Sequence, residues 1–149
     1  YASPELHTYV ARHVTIPTAA GERIYTRWGY RPYLEQQALS VIQPDLGLVG
    51  GLTEGKKICD YAHTYDVMVQ VHVCGSPVAT AAALHLETAI PNFAIHEHHT
   101  NALRPENIAL CAPDLQPVRG KFAVPEEPGL GIALVDDVVR RSPCVTLEL

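Results

Sequence analysis

The sequence has 149 residues, of which 47% are hydrophobic and 18% charged, a composition typical of a globular protein with one ordinary core. Its formal net charge is −5, and no basic run is longer than Arg140-Arg141. We therefore expect no nucleic acid as a partner, because phosphate binding depends on clustered positive charge. No apolar stretch is long enough to span a bilayer and no signal-peptide pattern opens the chain, so a cytoplasmic protein is expected.

Helical and β-rich segments alternate along the first hundred residues. A first helix is predicted from Ser3-Pro4 towards Arg12, and since this opening lacks a methionine we expect the chain to be part of something longer. Strict alternation predicts right-handed β-α-β crossovers and a parallel sheet. Strands are predicted at 14–20, 41–45, 67–72 and 92–97, and helices at 32–40, 54–65 and 76–89.

The glycine-rich stretch "GLVGGLTEG", residues 47–55, is interpreted as a tight turn from strand to helix, with Thr53 as the helix cap. A phosphate loop is the alternative, but the glycines do not fit G-x-G-x-x-G and no G-K-[ST] follows. From residue 101 onward the alternation stops. Residues 101–149 carry six of the twelve prolines and are predicted to form a tail of short extended pieces that packs across the rest.

An ionisable residue stands at the end of each of the four predicted strands: Glu22, Asp45, His72 and Glu97. The gaps are 23, 27 and 25 residues, close to one β-α unit each. In a β/α barrel the carboxyl ends of the strands meet at one mouth, where active sites of this fold lie. The common spacing therefore favours one site over four unrelated polar residues.

Asp45 and His72 are predicted to lie on adjacent strands. A carboxylate that accepts a hydrogen bond from one ring nitrogen fixes the imidazole tautomer and raises its basicity, which makes His72 a candidate general base. A lone histidine on a strand would more often be a core residue, and the Asp45 partner reverses that preference. For Glu22, a hard-metal ligand and a surface salt bridge are equally good interpretations.

Two other groups of side chains are possible sites. In "IHEHH" the alternation places His96 and His98 opposite Glu97 and His99, but a zinc site is disfavoured because neither H-E-x-x-H nor P-C-x-x-C is present. The four cysteines have no C-x-x-C spacing and are expected to be reduced and mostly buried. Cys74 is two residues from His72, and a packing role is favoured over a nucleophile.

Five ordered motifs resemble the C-terminal half of the enolase superfamily, in its mandelate racemase subgroup, and within that subgroup the acid-sugar dehydratases typified by galactonate dehydratase. They are "IPTAAGERIYTRW", "VIQPDLGLVGGLTEGKKICDYAHTYDV", "VQVHVCGSPVATAAALHLE", "PNFAIHEHH" and "PGLGIAL". The resemblance implies an α/β fold in which residues 1–100 form the last four strands of a (β/α)7β TIM-type barrel. Residues 101–149 would then be a tail that packs on the barrel and on an N-terminal capping domain.

The resemblance also implies a role for each strand-end residue. Glu22 would be the third carboxylate ligand of an essential Mg²⁺, and Asp45 with His72 would form the family's Asp-His dyad. Glu97 would hydrogen-bond the carboxylate or enolate of a sugar-acid substrate. Removal of the α-proton and loss of the 3-hydroxyl would give a 2-keto-3-deoxy acid.

The family's other metal ligands, the N-terminal half of its barrel and its capping domain would lie upstream of Tyr1. We therefore expect a half-barrel with an incomplete metal site, completed by those parts, and a homo-oligomeric enzyme. The family's "HCPLGP" is replaced here by the residues 72–77, "HVCGSP", so the resemblance implies the reaction class but not galactonate as the individual substrate. A racemase, epimerase or cycloisomerase of the same superfamily and a non-catalytic homologue are the alternatives.

Overall fold

A computed structural model describes residues 3–146. Strands and helices alternate in its first part, as predicted, and the longest helix has 13 residues. No helix in this described range is long and apolar enough to cross a membrane. The elements are α1 Pro4–His13, β1 Ala19–Ala20, α2 Thr26–Glu35, β2 Val41–Ile42, α3 Leu46–Val49, α4 Gly51–His63, β3 Met68–Val69 and α5 Pro77–Thr88.

The strands form a parallel sheet in the order β1-β2-β3, as the alternation predicts. Val41 pairs with Ala19 on one side and with Met68 on the other. A further parallel bridge joins Asp45 to His72 beyond the ends of β2 and β3. The carboxyl ends of the strands therefore lie together at one edge.

The observed strands are shorter than predicted. Ladder pairing covers two residues in each of the three strands, and the predicted fourth strand makes only the single bridge from Phe93 to Val69. Within residues 3–146, β1 and the segment at Phe93 are the outer edges of this sheet. Backbone groups at these two edges have a partner strand on one side only.

Helix α2 begins at Thr26, although the sequence predicted a helix over 32–40 with Pro32 near its start. Tyr30, Tyr33 and Leu34 are buried at helical spacing, and this apolar face holds the whole segment in a helix. Pro32 lies inside the helix, where it removes one backbone hydrogen bond. Tertiary burial outweighs that local cost, and the prediction that Pro32 marks the helix start was wrong.

The glycine-rich stretch contains a short helix as well as a turn. Asp45 caps α3, and Gly50 adopts the left-handed conformation between α3 and α4 with a φ of 114°. Helix α4 therefore begins at Gly51, and Thr53 does not cap it. The predicted helices at α1 and α5 are confirmed, with Ser3 accepting a hydrogen bond from the backbone N–H of Leu6.

Alternate residues of the segment around β3 form the centre of the core. Val67, Val69, Val71 and Val73 are between 0% and 5% exposed. Side chains of an extended segment alternate between its two faces, so His72 lies on the opposite face from these valines. The segment is thus anchored by its valines and presents His72 at the edge where the strands end.

Residues beyond 100 form a tail with little regular structure. Phe122 of the tail contacts the rings of His96 and His98, and the backbone carbonyl oxygen of Leu130 lies 3.2 Å from His85 Nε2. The tail therefore packs on α5 and on the segment that follows it, and part of its predicted closing stretch, residues 147–149, lies outside the described residues. Its elements are a 3₁₀ helix Thr100–Leu103, α6 Pro105–Ile108, β4 Cys111–Ala112, β5 Ala133–Leu134 and α7 Asp136–Arg141, with β4 and β5 antiparallel.

Gly21 links β1 to Glu22 and has no room for a side chain. Its φ is 151°, and a Cβ would lie 2.7 Å from both the backbone nitrogen of Gln43 and the hydroxyl oxygen of Tyr30. We expect Gly21→Ala to lower the free energy of unfolding by about 2–4 kcal/mol, through strain and overpacking. The measurement is urea unfolding.

Gly129→Ala is the matched control. Gly129 also has a positive φ, of 75°, but a Cβ there meets nothing within 4 Å. Its substitution is expected to lower the free energy of unfolding by only about 1–2 kcal/mol, because the left-handed backbone conformation alone disfavours alanine there. Equal losses for the two variants would show that the close packing around Gly21 does not matter.

Candidate functional site

Three of the four predicted residues meet at the carboxyl edge of the sheet. The Nδ1–H of His72 donates to Asp45 Oδ2 at 2.7 Å, and His72 Nε2 lies 3.1 Å from Glu22 Oε2. Each comes from the end of a different parallel segment, which is why residues 23 and 27 positions apart come into contact. Both imidazole nitrogens therefore face a carboxylate.

Asp45 is held from two directions. Its Oδ1 accepts a hydrogen bond from the backbone N–H of Gly47 at 2.8 Å, which caps α3, while Oδ2 accepts from His72. The side chains of Asp45 and His72 are 21% and 19% exposed. Because the carboxylate is fixed on both oxygens and partly shielded from water, it orients the imidazole ring firmly. The capping role was missed in the sequence, although an aspartate just after a strand is a typical helix cap.

Glu22 is the most open member of the group, with its side chain 40% exposed. Besides its contact with His72, its Oε1 lies 3.6 Å from Arg23 Nε. The salt-bridge interpretation of Glu22 thus describes these contacts, while the carboxylate also has the hard oxygen donors that Mg²⁺ prefers. Within residues 3–146, no group of three or more His, Cys, Asp or Glu side chains is arranged to hold a metal ion.

Glu97 lies beside the other three but makes a different contact. Its Oε2 accepts a hydrogen bond from the backbone N–H of Val73 at 2.9 Å. This bond fixes the chain immediately after His72. Through this hydrogen bond with the backbone of Val73, Glu97 also lies at the carboxyl edge of the sheet.

A cavity of about 540 Å³ opens at this edge. It extends from the ionisable residues towards the loop 73–76 and the first turn of α5. Its volume and mixed lining suit a small polar ligand. The lining residues are Glu22, Arg23, Asp45, Gly47, Leu48, His72, Cys74, Gly75 and Ala79.

Cys74 is exposed and lines this cavity, so the predicted packing role was wrong. Residues two apart in an extended segment share a face, so Cys74 lies on the cavity side with His72 before the chain turns towards α5. Cys144 is also exposed, so only Cys59 and Cys111 are buried. Burial raises the pKa of the Cys59 thiol to about 12, which keeps it protonated and unreactive at neutral pH.

His96 and His98 share one side of the chain, as predicted, and contact Phe122. His96 Nδ1 lies 2.7 Å from Glu87 Oε2, and both side chains are nearly buried. Burial raises the pKa of the Glu87 carboxyl, partly offset by this hydrogen bond. The pair joins α5 to the segment that follows it and stands apart from the cavity next to His72.

Comparison with known proteins supports the family resemblance of the five motifs. A model of the family described as Enolase C-terminal domain-like matches residues 1–138. The D-xylonate dehydratase of Haloferax volcanii is 39% identical over 139 residues, which cover 91% of this chain and 34% of that protein. The D-galactonate dehydratase of Xanthomonas oryzae pv. oryzae is 32% identical over 143 residues, which cover 93% of this chain and 37% of that protein.

A crystal structure of an enolase superfamily member from Salmonella Typhimurium matches the fold with a TM-score of 0.92 and 55% sequence identity. The match covers 98% of this chain and 37% of that one. The chain thus spans about a third of the length of the curated relatives it matches. The predicted resemblance is confirmed, and the chain belongs to the Enolase C-terminal domain-like family of the enolase superfamily.

Proposed function

We propose that this chain is the C-terminal part of a Mg²⁺-dependent acid-sugar dehydratase. The observation that carries the proposal is the 2.7 Å hydrogen bond between His72 and Asp45 at the mouth of a cavity, beside the carboxylate of Glu22. The names of the relatives add to it, since two of them are dehydratases of sugar acids. The substrate would be a 2,3-dihydroxy acid and the product a 2-keto-3-deoxy acid.

His72 is the general base in this proposal. Its Nδ1 is occupied by Asp45, so Nε2 is the nitrogen that faces the cavity and can accept the proton from C2 of the substrate. The electron pair left at C2 forms a double bond to C3 as the 3-hydroxyl leaves as water, taking up one proton that balances the one transferred to His72. The resulting enol then becomes the 2-keto acid. General base catalysis of this kind contributes roughly 10²- to 10⁴-fold to the rate.

Asp45 is a positioning residue for the same step. Its carboxylate accepts the Nδ1–H of His72, which keeps the lone pair on Nε2, and its negative charge stabilises the imidazolium formed when the proton is taken. The hydrogen bond from Gly47 keeps the carboxylate from turning away. The Asp45 side of the arrangement is therefore in place before a substrate arrives.

Glu22 is the residue that would hold Mg²⁺. Its partly exposed carboxylate fits as one oxygen ligand, and the remaining ligands would come from the rest of the barrel, from water and from the substrate. When bound, the ion supplies a positive charge that orients the substrate carboxylate and stabilises the negative charge that develops next to it. Glu22 Oε2 lies 3.1 Å from His72 Nε2 in this structure, and it would turn from the ring to hold the ion, which leaves Nε2 to the substrate.

Glu97 would complete the wall of the site. In the family resemblance it hydrogen-bonds the substrate carboxylate or enolate, and here its Oε2 accepts from Val73 N–H. Its Oε2 is engaged by Val73, so as a carboxylic acid Glu97 would donate to the substrate from the Oε1–H. We propose both functions for Glu97: it holds the chain after His72 and it lies close to the substrate.

The test uses the full-length gene product that contains this sequence, with a panel of five- and six-carbon acid sugars. With Mg²⁺ present, at least one of them is expected to give a 2-keto-3-deoxy acid, detected as its semicarbazone, and a chelator is expected to abolish the reaction. Restoration by added Mg²⁺ is the control. Exchange of the α-proton without elimination would indicate a racemase or epimerase instead, and failure to bind Mg²⁺ would contradict the enzyme assignment.

A further inference from the structure

The loop that follows His72 is held by polar contacts from outside the sheet. Glu97 accepts from the N–H of Val73 at 2.9 Å, and the side-chain amide of Asn107 donates to the carbonyl oxygen of Gly75 at 3.3 Å. The amide nitrogen of Asn101 also lies 3.9 Å from the sulfur of Cys74. Three consecutive loop residues thus contact side chains from other parts of the chain.

Asn107 connects the loop to the tail. Its amide nitrogen donates both to Gly75 and to the backbone carbonyl oxygen of Asn101, the latter at 2.9 Å. Asn107 lies in the short helix α6, 35 residues after His72 in the sequence. One side chain therefore ties a tail segment to the loop, and that loop forms part of the cavity wall.

Gly75 has no conformational need to be glycine. Its φ lies outside the left-handed range, and the nearest neighbour of an added Cβ would be the Cβ of Ala79 at 3.3 Å. Gly75, Cys74 and Ala79 all line the cavity. The small side chains at these positions leave room in the cavity. The backbone conformation at Gly75 does not require glycine.

We propose that Asn107 is a positioning residue for the candidate site. It holds the loop 73–76 where Cys74 and Gly75 form the wall beyond the reacting carbons, and this wall sets the length of the polyhydroxy chain that the site accepts. The length selection rests on the proposed function. The clamp itself is a property of the chain that can be measured without any substrate.

The clamp is tested by the reactivity of the Cys74 thiol, which is exposed on the loop. The work uses the full-length protein with Cys144→Ser, since Cys144 is the other exposed thiol in residues 3–146. In this background, Asn107→Asp, which keeps the shape but donates no hydrogen bond, is expected to raise the rate of Cys74 modification by a thiol reagent roughly three- to tenfold. The matched control is Gln116→Ala, which removes an amide that donates to Ala102 within the tail.

Length selection is tested by kinetics on the same proteins without the Cys144 change. Asn107→Asp is expected to raise KM for six-carbon acid sugars about three- to tenfold, with kcat nearly unchanged, since loss of a wall weakens binding without touching the base. Gly75→Leu is expected to lower kcat/KM for six-carbon acids at least about tenfold more than for five-carbon acids. A merely structural role would lower kcat for all substrates together.

The outcomes separate the two proposals. If Asn107→Asp leaves the Cys74 modification rate equal to that of the Gln116→Ala control, the clamp is wrong whatever the enzyme does. If the rate rises but no acid sugar is dehydrated by the unmodified protein, the proposed function fails and the clamp stands. Faster modification with no change in the preference between five- and six-carbon substrates overturns the length selection.

Discussion

Replacing His72 with asparagine in the full-length protein is expected to lower kcat for dehydration about 10²- to 10⁴-fold, the contribution of a general base. Asparagine can still donate a hydrogen bond to Asp45, so the local fold and the affinity for Mg²⁺ should persist. What is lost is the basic nitrogen that faces the cavity. Initial rates at saturating substrate, together with a Mg²⁺ titration, measure the effect.

His63→Asn is the matched control for this variant. His63 is an exposed histidine at the end of α4 and does not line the cavity, so its loss should leave the rate within twofold. Undiminished dehydration by the His72 variant would remove His72 from the mechanism. If α-proton exchange persisted while elimination stopped, His72 would act on the leaving hydroxyl instead.

Asp45→Asn is expected to lower kcat roughly 10²- to 10⁴-fold without unfolding the protein. An asparagine can keep the Oδ1 acceptor for Gly47 N–H, so α3 stays capped. Its amide, however, donates towards Nδ1 of His72 and favours the tautomer that carries the hydrogen on Nε2. That tautomer cannot accept the substrate proton.

The control for Asp45→Asn is Asp60→Asn on the exposed face of α4, where the carboxylate pairs only with Lys56 among the contacts described. Both variants remove one negative charge, but only the first should change the rate. Circular dichroism and the urea midpoint check that the fold is kept. Equal activity of the two variants would show that the charge of Asp45 does not support the base.

The meeting of Glu22, Asp45 and His72 could be predicted because it follows from a repeat. Strands that alternate with helices run parallel, and the residues at their carboxyl ends must then lie at the same edge. The burial of the alternate valines around His72 could be predicted for a similar reason, since an extended chain has a period of two. The local periodicity of the sequence is enough to predict both features.

Other features depend on contacts between distant parts of the chain. The start of α2 was mispredicted because burial of Tyr30 and its neighbours, which sequence spacing shows only weakly beside Pro32, decides where the helix begins. Cys74 was mispredicted although the period of two, which places it on the face of His72, already indicated the cavity side. The hydrogen bond from Asn107 to Gly75 joins residues 32 positions apart, and the sequence around neither residue indicates it.

The most direct test follows the α-hydrogen with an acid sugar that carries deuterium at C2. The full-length protein is predicted to release this deuterium into water as the 2-keto-3-deoxy acid forms, and to react more slowly than with the unlabelled substrate. The His72→Asn variant is predicted to leave the label on C2. Release of deuterium by that variant at the rate of the unmodified protein would contradict the assignment of His72 as the base.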